Sequence, residues 1–502
     1  MMRPWQAIAI VFALLLALML WLRTHVYLPF SQRIEARPPL AISGDEPHYL
    51  VAVHNLLFDP DRDVRRTYER ARAGGPEAGR RFRRAGLDHH AILFDPATRR
   101  HLFWNSILSL PRQGWPSRQL EILEAAYPVE RSSHPIGFPA LIAALLAPTR
   151  PTPDQVEERM SLVILLLSWL GGVATYLVGR RGGMGRVPSL AAALLLMLAS
   201  PWLVYSRSYF SETAAGLALL AALGATVSRR PIAAALAIGA AFVIKPPYIL
   251  VGFAWIVERL WKHRWREAAG MTTVLAAVVL AMMLFDHHET GSWLVSGNGP
   301  WISVASWTGT FATLIDGRYG LLTFVPWVLL ALPALTGFLV RDRGSARWTR
   351  AMALPLLSQL GLLMAHRPLG ATCYGPRYWV PFLPWLALAA VEGARNFRWG
   401  RPALGVAAAA GALVAIPAAL MYPLIWNTPP HAAFRAMLRS AGHVSRTAHH
   451  SERRGHSGAV IAASRSGLRT RWLESHASQA EISSRPSAPP MSSPFRRRVT
   501  AA

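Results

Sequence analysis

Long apolar runs separated by short, arginine-rich links leave this chain few folds. The runs lie at residues 5–22, 156–178, 188–205, 211–227, 231–244, 247–261, 268–285, 319–340, 351–365, 378–391 and 403–426, with a shorter one at 140–147. About 20 apolar residues in a helix cross the roughly 30 Å hydrocarbon layer. The helix is favoured there because it satisfies its own backbone polar groups without water. Composition agrees: the 502 residues are 52% hydrophobic and 16% charged, where a soluble domain carries about 25% charge. The sequence therefore predicts an all-α polytopic membrane protein. Trp21-Leu22-Arg23, at the end of the first run, does not resemble a small-residue cleavage site, so that run is read as an uncleaved anchor.

Charge in the links sets the expected orientation. Links 180–186, 229–230, 262–266, 341–350 and 395–401 are basic, which assigns them to the cytoplasm. Links 229–230 and 262–266 share a side only if two helices lie between them, so Lys245-Pro246-Pro247 becomes a tight external turn. Run 140–147 is too short to cross and is read as a juxtamembrane or re-entrant segment. About eleven spanning helices result, with the N-terminus inside and the C-terminus outside. Residues 31–133 form a large external loop bearing juxtamembrane helices, and its basic middle, 62–84, reads as a flexible or surface-helical segment. Residues 1–430 are then one transmembrane domain. Residues 431–502, rich in Ser, Arg, His and Ala, read as a basic disordered tail. Loops and tail account for much of the net charge of +26, and no base-stacking motif accompanies it, which argues against nucleic acid. The single cysteine, Cys373, excludes intramolecular disulfides and cysteine metal clusters.

This topology places the polar clusters on one face: Asp45-Glu46, His134, Arg207 with Glu212, Lys245, and segments 286–318 and 366–377. Each has a chemical and a structural reading. Asp45-Glu46, between Gly44 and Pro47, is a general base with its neighbour, the two able to share a divalent cation such as Mg or Mn; or Asp45 is an N-cap. Arg207 and Glu212 at a membrane boundary are functional or an interfacial ion pair. Lys245 is a phosphate ligand or a snorkelling lysine. Arg318-Tyr319 and Arg377-Tyr378 are a phosphate clamp or members of an aromatic belt with arginine anchors. His287-His288-Glu289 lacks H-E-x-x-H spacing, and His89-His90 stands alone. No P-loop, GxSxG elbow or strand-bound GxGxxG is present, which argues against nucleotide-driven chemistry.

The order of these motifs over residues 5–426 resembles the GT-C superfamily of polytopic membrane glycosyltransferases, in the bacterial branch of protein O-mannosyltransferases and lipid A aminoarabinose transferases. Asp45-Glu46-Pro47-His48-Tyr49 is similar to the family's D-E-x-x-Y pattern. His134-Pro135-Ile136-Gly137 looks like its K/H-P-P-x segment, Ser206-Arg207…Glu212 like its Arg-Leu…Asp motif, and Gly375-Pro376-Arg377-Tyr378 like its GPRY element. His134 stands for the commoner Lys and Glu212 for the commoner Asp. The resemblance implies inverting transfer, on the periplasmic face of a bacterial inner membrane, of a hexosyl or pentosyl group from a polyprenyl-phosphate donor to an envelope glycolipid, glycan or protein. It implies Asp45 and Glu46 as catalytic carboxylates, with a divalent metal in some members. Arg207, Lys245, Arg318 and Arg377 would bind the donor phosphate, and Tyr49, His134, Glu212, Tyr319 and Tyr378 would line the substrate site. The rival classes are a lipid-linked saccharide flippase or transporter and a polysaccharide polymerase or ligase. Against transport, no internal repeat is evident and the ionisable residues gather at one face.

Overall fold

The computed structural model describes residues 3–28, 33–36, 45–73, 91–103, 125–293, 313–340, 349–365 and 374–422. The chain divides into two units, Met1–Tyr27 with Ile34–Arg435, and Leu28–Arg33 with Ala436–Ala502. All the described helices belong to the first unit. The tail expected at 431–502, His89-His90 and Cys373 lie outside the described residues.

The architecture is helical, as the apolar runs predict. α1 (Pro4–Thr24) leads to two short strands, β1 (His25–Leu28) and β2 (Arg33–Ala36). Between β2 and residue 133 the described part contains α2 (Glu46–Phe58), α3 (Val64–Ala73), β3 (Ala91–Phe94), β4 (His101–Phe103) and β5 (Val129–Ser132). Next come α4 (Gly137–Leu146), α5 (Val156–Arg181), α6 (Arg186–Leu198), α7 (Trp202–Tyr205), α8 (Glu212–Val227), α9 (Pro231–Ile244), α10 (Ile249–Trp261) and α11 (Trp265–Thr290). The last helices are α12 (Leu321–Phe324), α13 (Ala331–Val340), α14 (Thr349–Ala365), α15 (Leu383–Arg395) and α16 (Gly400–Met421).

Among the described residues four helical stretches are long and apolar enough to cross a membrane: Pro4–Thr24, Pro153–Arg181, Trp265–Thr290 and Gly400–Met421. Six further apolar helices are shorter. The shortening has a local cause. Run 188–205 breaks at Ala199–Pro201, and run 319–340 breaks into α12, a 3-10 turn at Pro326–Leu330 and α13. Proline lacks an N–H and clashes with the preceding turn, so it interrupts the helical ladder. Partners then take up the released groups: the Ala199 carbonyl accepts from Trp327 Nε1 at 2.7 Å.

α1 shows how faces are chosen. Its buried residues Phe12, Leu15, Met19 and Leu22 form a stripe at spacings of three and four, while Leu14, Leu18 and Trp21 are exposed. The stripe packs on α5, where Trp169 Nε1 donates to the Phe12 carbonyl at 2.9 Å. The outward leucines suit lipid rather than water.

The long segment before α4 departs from the all-helical expectation. β3 pairs antiparallel with β4 and with β5, with Ile92 opposite Phe103 and Arg131. Within the basic middle, α3 buries Val64, Thr67 and Tyr68, and the described part ends at residue 73. Arginines tie this segment to α11. Arg99 donates to the His287 carbonyl, Arg131 Nε to the Glu289 carbonyl at 3.3 Å, and Arg62 pairs with the Glu289 carboxylate at 2.7 Å. Cations suit the negative end of a helix dipole.

Candidate active site

Asp45 occupies the N-cap position of α2, with Pro47 in the first turn, but its carboxylate makes no capping bond. It pairs instead with Arg377. Arg377 begins a 3-10 segment, Arg377–Phe382, delivered by a turn at Gly375 with φ +61°. A Cβ at Gly375 would lie 2.9 Å from the Phe324 ring, so the turn needs glycine on both counts. From the opposite side, Arg377 Nε donates to Glu212 Oε1 at 2.6 Å. Lys245 Nζ donates to that same oxygen.

The result is a chain of alternating charge, Asp45–Arg377–Glu212–Lys245, assembled from the starts of α2 and α8, the end of α9 and the segment before α15. Glu212 is fully buried and Arg377 is 3% exposed, whereas the Asp45 side chain is 24% exposed. Buried charges survive only when paired, and here two carboxylates meet two cations. Burial works to raise the Asp45 pKa, but Arg377, His134 and Lys245 outweigh it and hold the carboxyl well below its usual range.

Aromatic rings wall the cluster. The Arg377 guanidinium lies 4.1 Å from the Phe210 ring centre, and Lys245 Nζ lies 5.2 Å from that of Tyr378. The Tyr49 hydroxyl is 3.5 Å from Ser211 Oγ. The Tyr49 ring packs against Phe138 and His134, and His134 stacks on His48 at 5.3 Å. Gly137 draws this wall in: a Cβ there would sit 2.2 Å from the Val243 carbonyl oxygen. That contact sets the start of α4 beside the end of α9 that carries Lys245.

Other residues read as chemical in the sequence take partners outside this chain of charges. Glu46 accepts from the Tyr209 N–H at 2.7 Å and the Tyr422 hydroxyl at 2.6 Å. Arg207 donates to the Ala419 carbonyl near the end of α16 and to the His25 carbonyl at 2.9 Å. Of the two readings of Arg207 and Glu212, the mutual ion pair is not formed: Glu212 takes Arg377 and Lys245, and Arg207 takes backbone carbonyls. The two Arg-Tyr elements are also unlike. Arg377 is buried in the cluster, whereas the Arg318 side chain is exposed and Asp316 accepts the N–H groups of Arg318 and Tyr319 at 2.6 and 3.0 Å. Asp45 and Glu46 face different partners, and among the described residues no three His, Cys, Asp or Glu side chains gather as a metal site.

Sequence reasoning passed over Phe210, Tyr248 and Tyr422, which look like ordinary belt aromatics. Tyr248 is 2% exposed and within electrostatic reach of Glu212 and Arg377. Its hydroxyl and Glu212 Oε2 have no hydrogen-bond partner among the described residues. Leaving such a group buried and unsatisfied costs about 1–3 kcal/mol.

No protein-family model matches the chain, and no curated protein matches it. Among solved structures, a crystal structure of ArnT from Cupriavidus metallidurans bound to undecaprenyl phosphate is similar over 87% of this chain and 78% of that one. The identity is 13% and the TM-score 0.45.

Proposed function

We propose that the chain is a membrane glycosyltransferase that moves a sugar from a polyprenyl-phosphate donor to an acceptor hydroxyl or amine, on the periplasmic face of a bacterial inner membrane. One observation carries this reading: Arg377 bridges Asp45 and Glu212, with Lys245 on the same Glu212 oxygen. A carboxylate suited to act as base and two cations suited to a phosphate thus meet in one cluster beside apolar helices, which supports this reading. The motif resemblance to GT-C enzymes points the same way.

In the proposed reaction the acceptor oxygen or nitrogen attacks the anomeric carbon, and the bond from that carbon to the phosphate oxygen breaks with inversion. The electron pair leaves with the lipid phosphate, and the acceptor proton passes to the Asp45 carboxylate. Arg377 and Lys245 stabilise the charge that grows on the leaving phosphate in a water-poor setting. Arg377 also couples binding to base strength. Paired with Arg377, Asp45 is a weak base. A donor phosphate that shares the guanidinium loosens the pair, and the carboxyl becomes more basic when acceptor and donor are both present.

The test is transfer in proteoliposomes. Purified protein is supplied with radiolabelled polyprenyl-phosphate sugars and an envelope acceptor fraction, wild type beside Asp45→Asn. Label reaching the acceptor with wild type alone supports the proposal. Labelled lipid crossing between leaflets in both proteins, with no transfer, replaces the enzyme by a flippase.

A further inference from the structure

A second site lies at the far end of α8 from Glu212. α8 has 16 residues, which at about 1.5 Å per residue separates its ends by roughly 24 Å. Between α5, α8 and the start of α9 runs a groove of about 450 Å³. Its walls are apolar, with Leu177, Leu220, Ala221 and Gly224 among them, and Arg181 and Arg230 also line it. Both arginines are exposed. The neighbouring Arg180 is engaged elsewhere, donating to the Met184 carbonyl at 2.6 Å.

We infer that this groove binds an anionic phospholipid, with an acyl chain against the α5–α8 wall and the phosphate between Arg181 and Arg230. Groove and ligand match in both their apolar and their charged parts. An apolar trough on the flank of membrane helices suits a hydrocarbon chain, and water in it would meet few polar partners. Two guanidinium groups beside it suit a phosphodiester, which they contact through paired N–H donors. A zwitterionic lipid brings its own cation to the same place and loses most of the gain. Basic pockets between membrane helices are places where anionic headgroups settle. The site shares no residue with the Asp45–Lys245 cluster, so it stands whether or not the proposed transfer is correct.

Native mass spectrometry of the full chain, delipidated in detergent and offered phosphatidylglycerol and phosphatidylcholine of identical acyl chains, tests the inference. Wild type retains phosphatidylglycerol over phosphatidylcholine by about 30-fold, the preference expected of two basic side chains at a lipid surface. Arg181→Gln/Arg230→Gln removes the preference, and Ala221→Trp, which fills the groove from an exposed position, removes the adduct. Equal retention of the two lipids by wild type overturns the inference without any variant. An adduct that survives Ala221→Trp also overturns it, because the arginines would then be gathering lipid with no groove.

Discussion

Arg377 and Asp45 form an ion pair across 332 positions of sequence. The same guanidinium holds Glu212, which in turn holds Lys245. One arginine therefore fixes the geometry of the candidate base and, through Glu212, that of the second cation. Its removal disturbs both halves of the proposed reaction.

Replacing Arg377 by Lys keeps the charge and removes the planar fork that serves two carboxylates at once. Transfer is expected to fall by about 10²–10³-fold in kcat, the usual effect of losing one transition-state donor. Measured with saturating donor, an unchanged kcat would remove Arg377 from the leaving-group role.

The pH dependence follows from the depressed Asp45 pKa. In the free protein the carboxyl stays ionised well below its ordinary value near 3.9. The pair's stabilisation is fully present above that ordinary value and is lost as pH falls toward the lower folded value. With donor bound, Arg377 is shared and the carboxyl titrates at higher pH. Since kcat reports the complex and kcat/KM the free protein, the acidic limb of kcat is expected at higher pH than that of kcat/KM. Coincident limbs would disprove the coupling.

Arg207 is expected to behave as a frame residue. Arg207→Gln loses charge-assisted bonds to the Ala419 and His25 carbonyls, each contributing about 1.5–3 kcal/mol. A lowered Tm with an unchanged donor KM is the expected pattern. A raised KM at unchanged Tm would return Arg207 to the phosphate site.

Gly137 sets the approach of α4 to α9. Gly137→Val forces side-chain atoms against the Val243 carbonyl, at a cost of about 1–3 kcal/mol for overpacking. Because Lys245 lies just beyond Val243 on the same chain segment, donor KM rises together with the loss in thermal stability. Gly405, with nothing within 4 Å of its Cβ position, is the control: Gly405→Ala leaves donor KM unchanged and does not lower Tm, alanine being the better helix former.

The length of the apolar runs and the composition determined the helical, membrane-suited character of the chain, because burying apolar surface in lipid leaves the helix as the backbone form that satisfies itself. The stretch Asp45–Tyr49 and the turn at Lys245 were legible as candidates, since a charge beside an apolar run needs a reason. The three-stranded sheet was not: β3 to β5 are four, three and four residues long, too short for alternation to stand out. Nor were the pairings. A guanidinium's partner depends on which helices converge, and Arg207 and Arg377 carry the same local signal, each close to tyrosine at the end of an apolar run. Only the tertiary structure sent Arg377 to Asp45 and Glu212 and gave Arg207 two backbone carbonyls, because the direction of a long side chain is decided by the nearest unsatisfied charge or carbonyl in three dimensions.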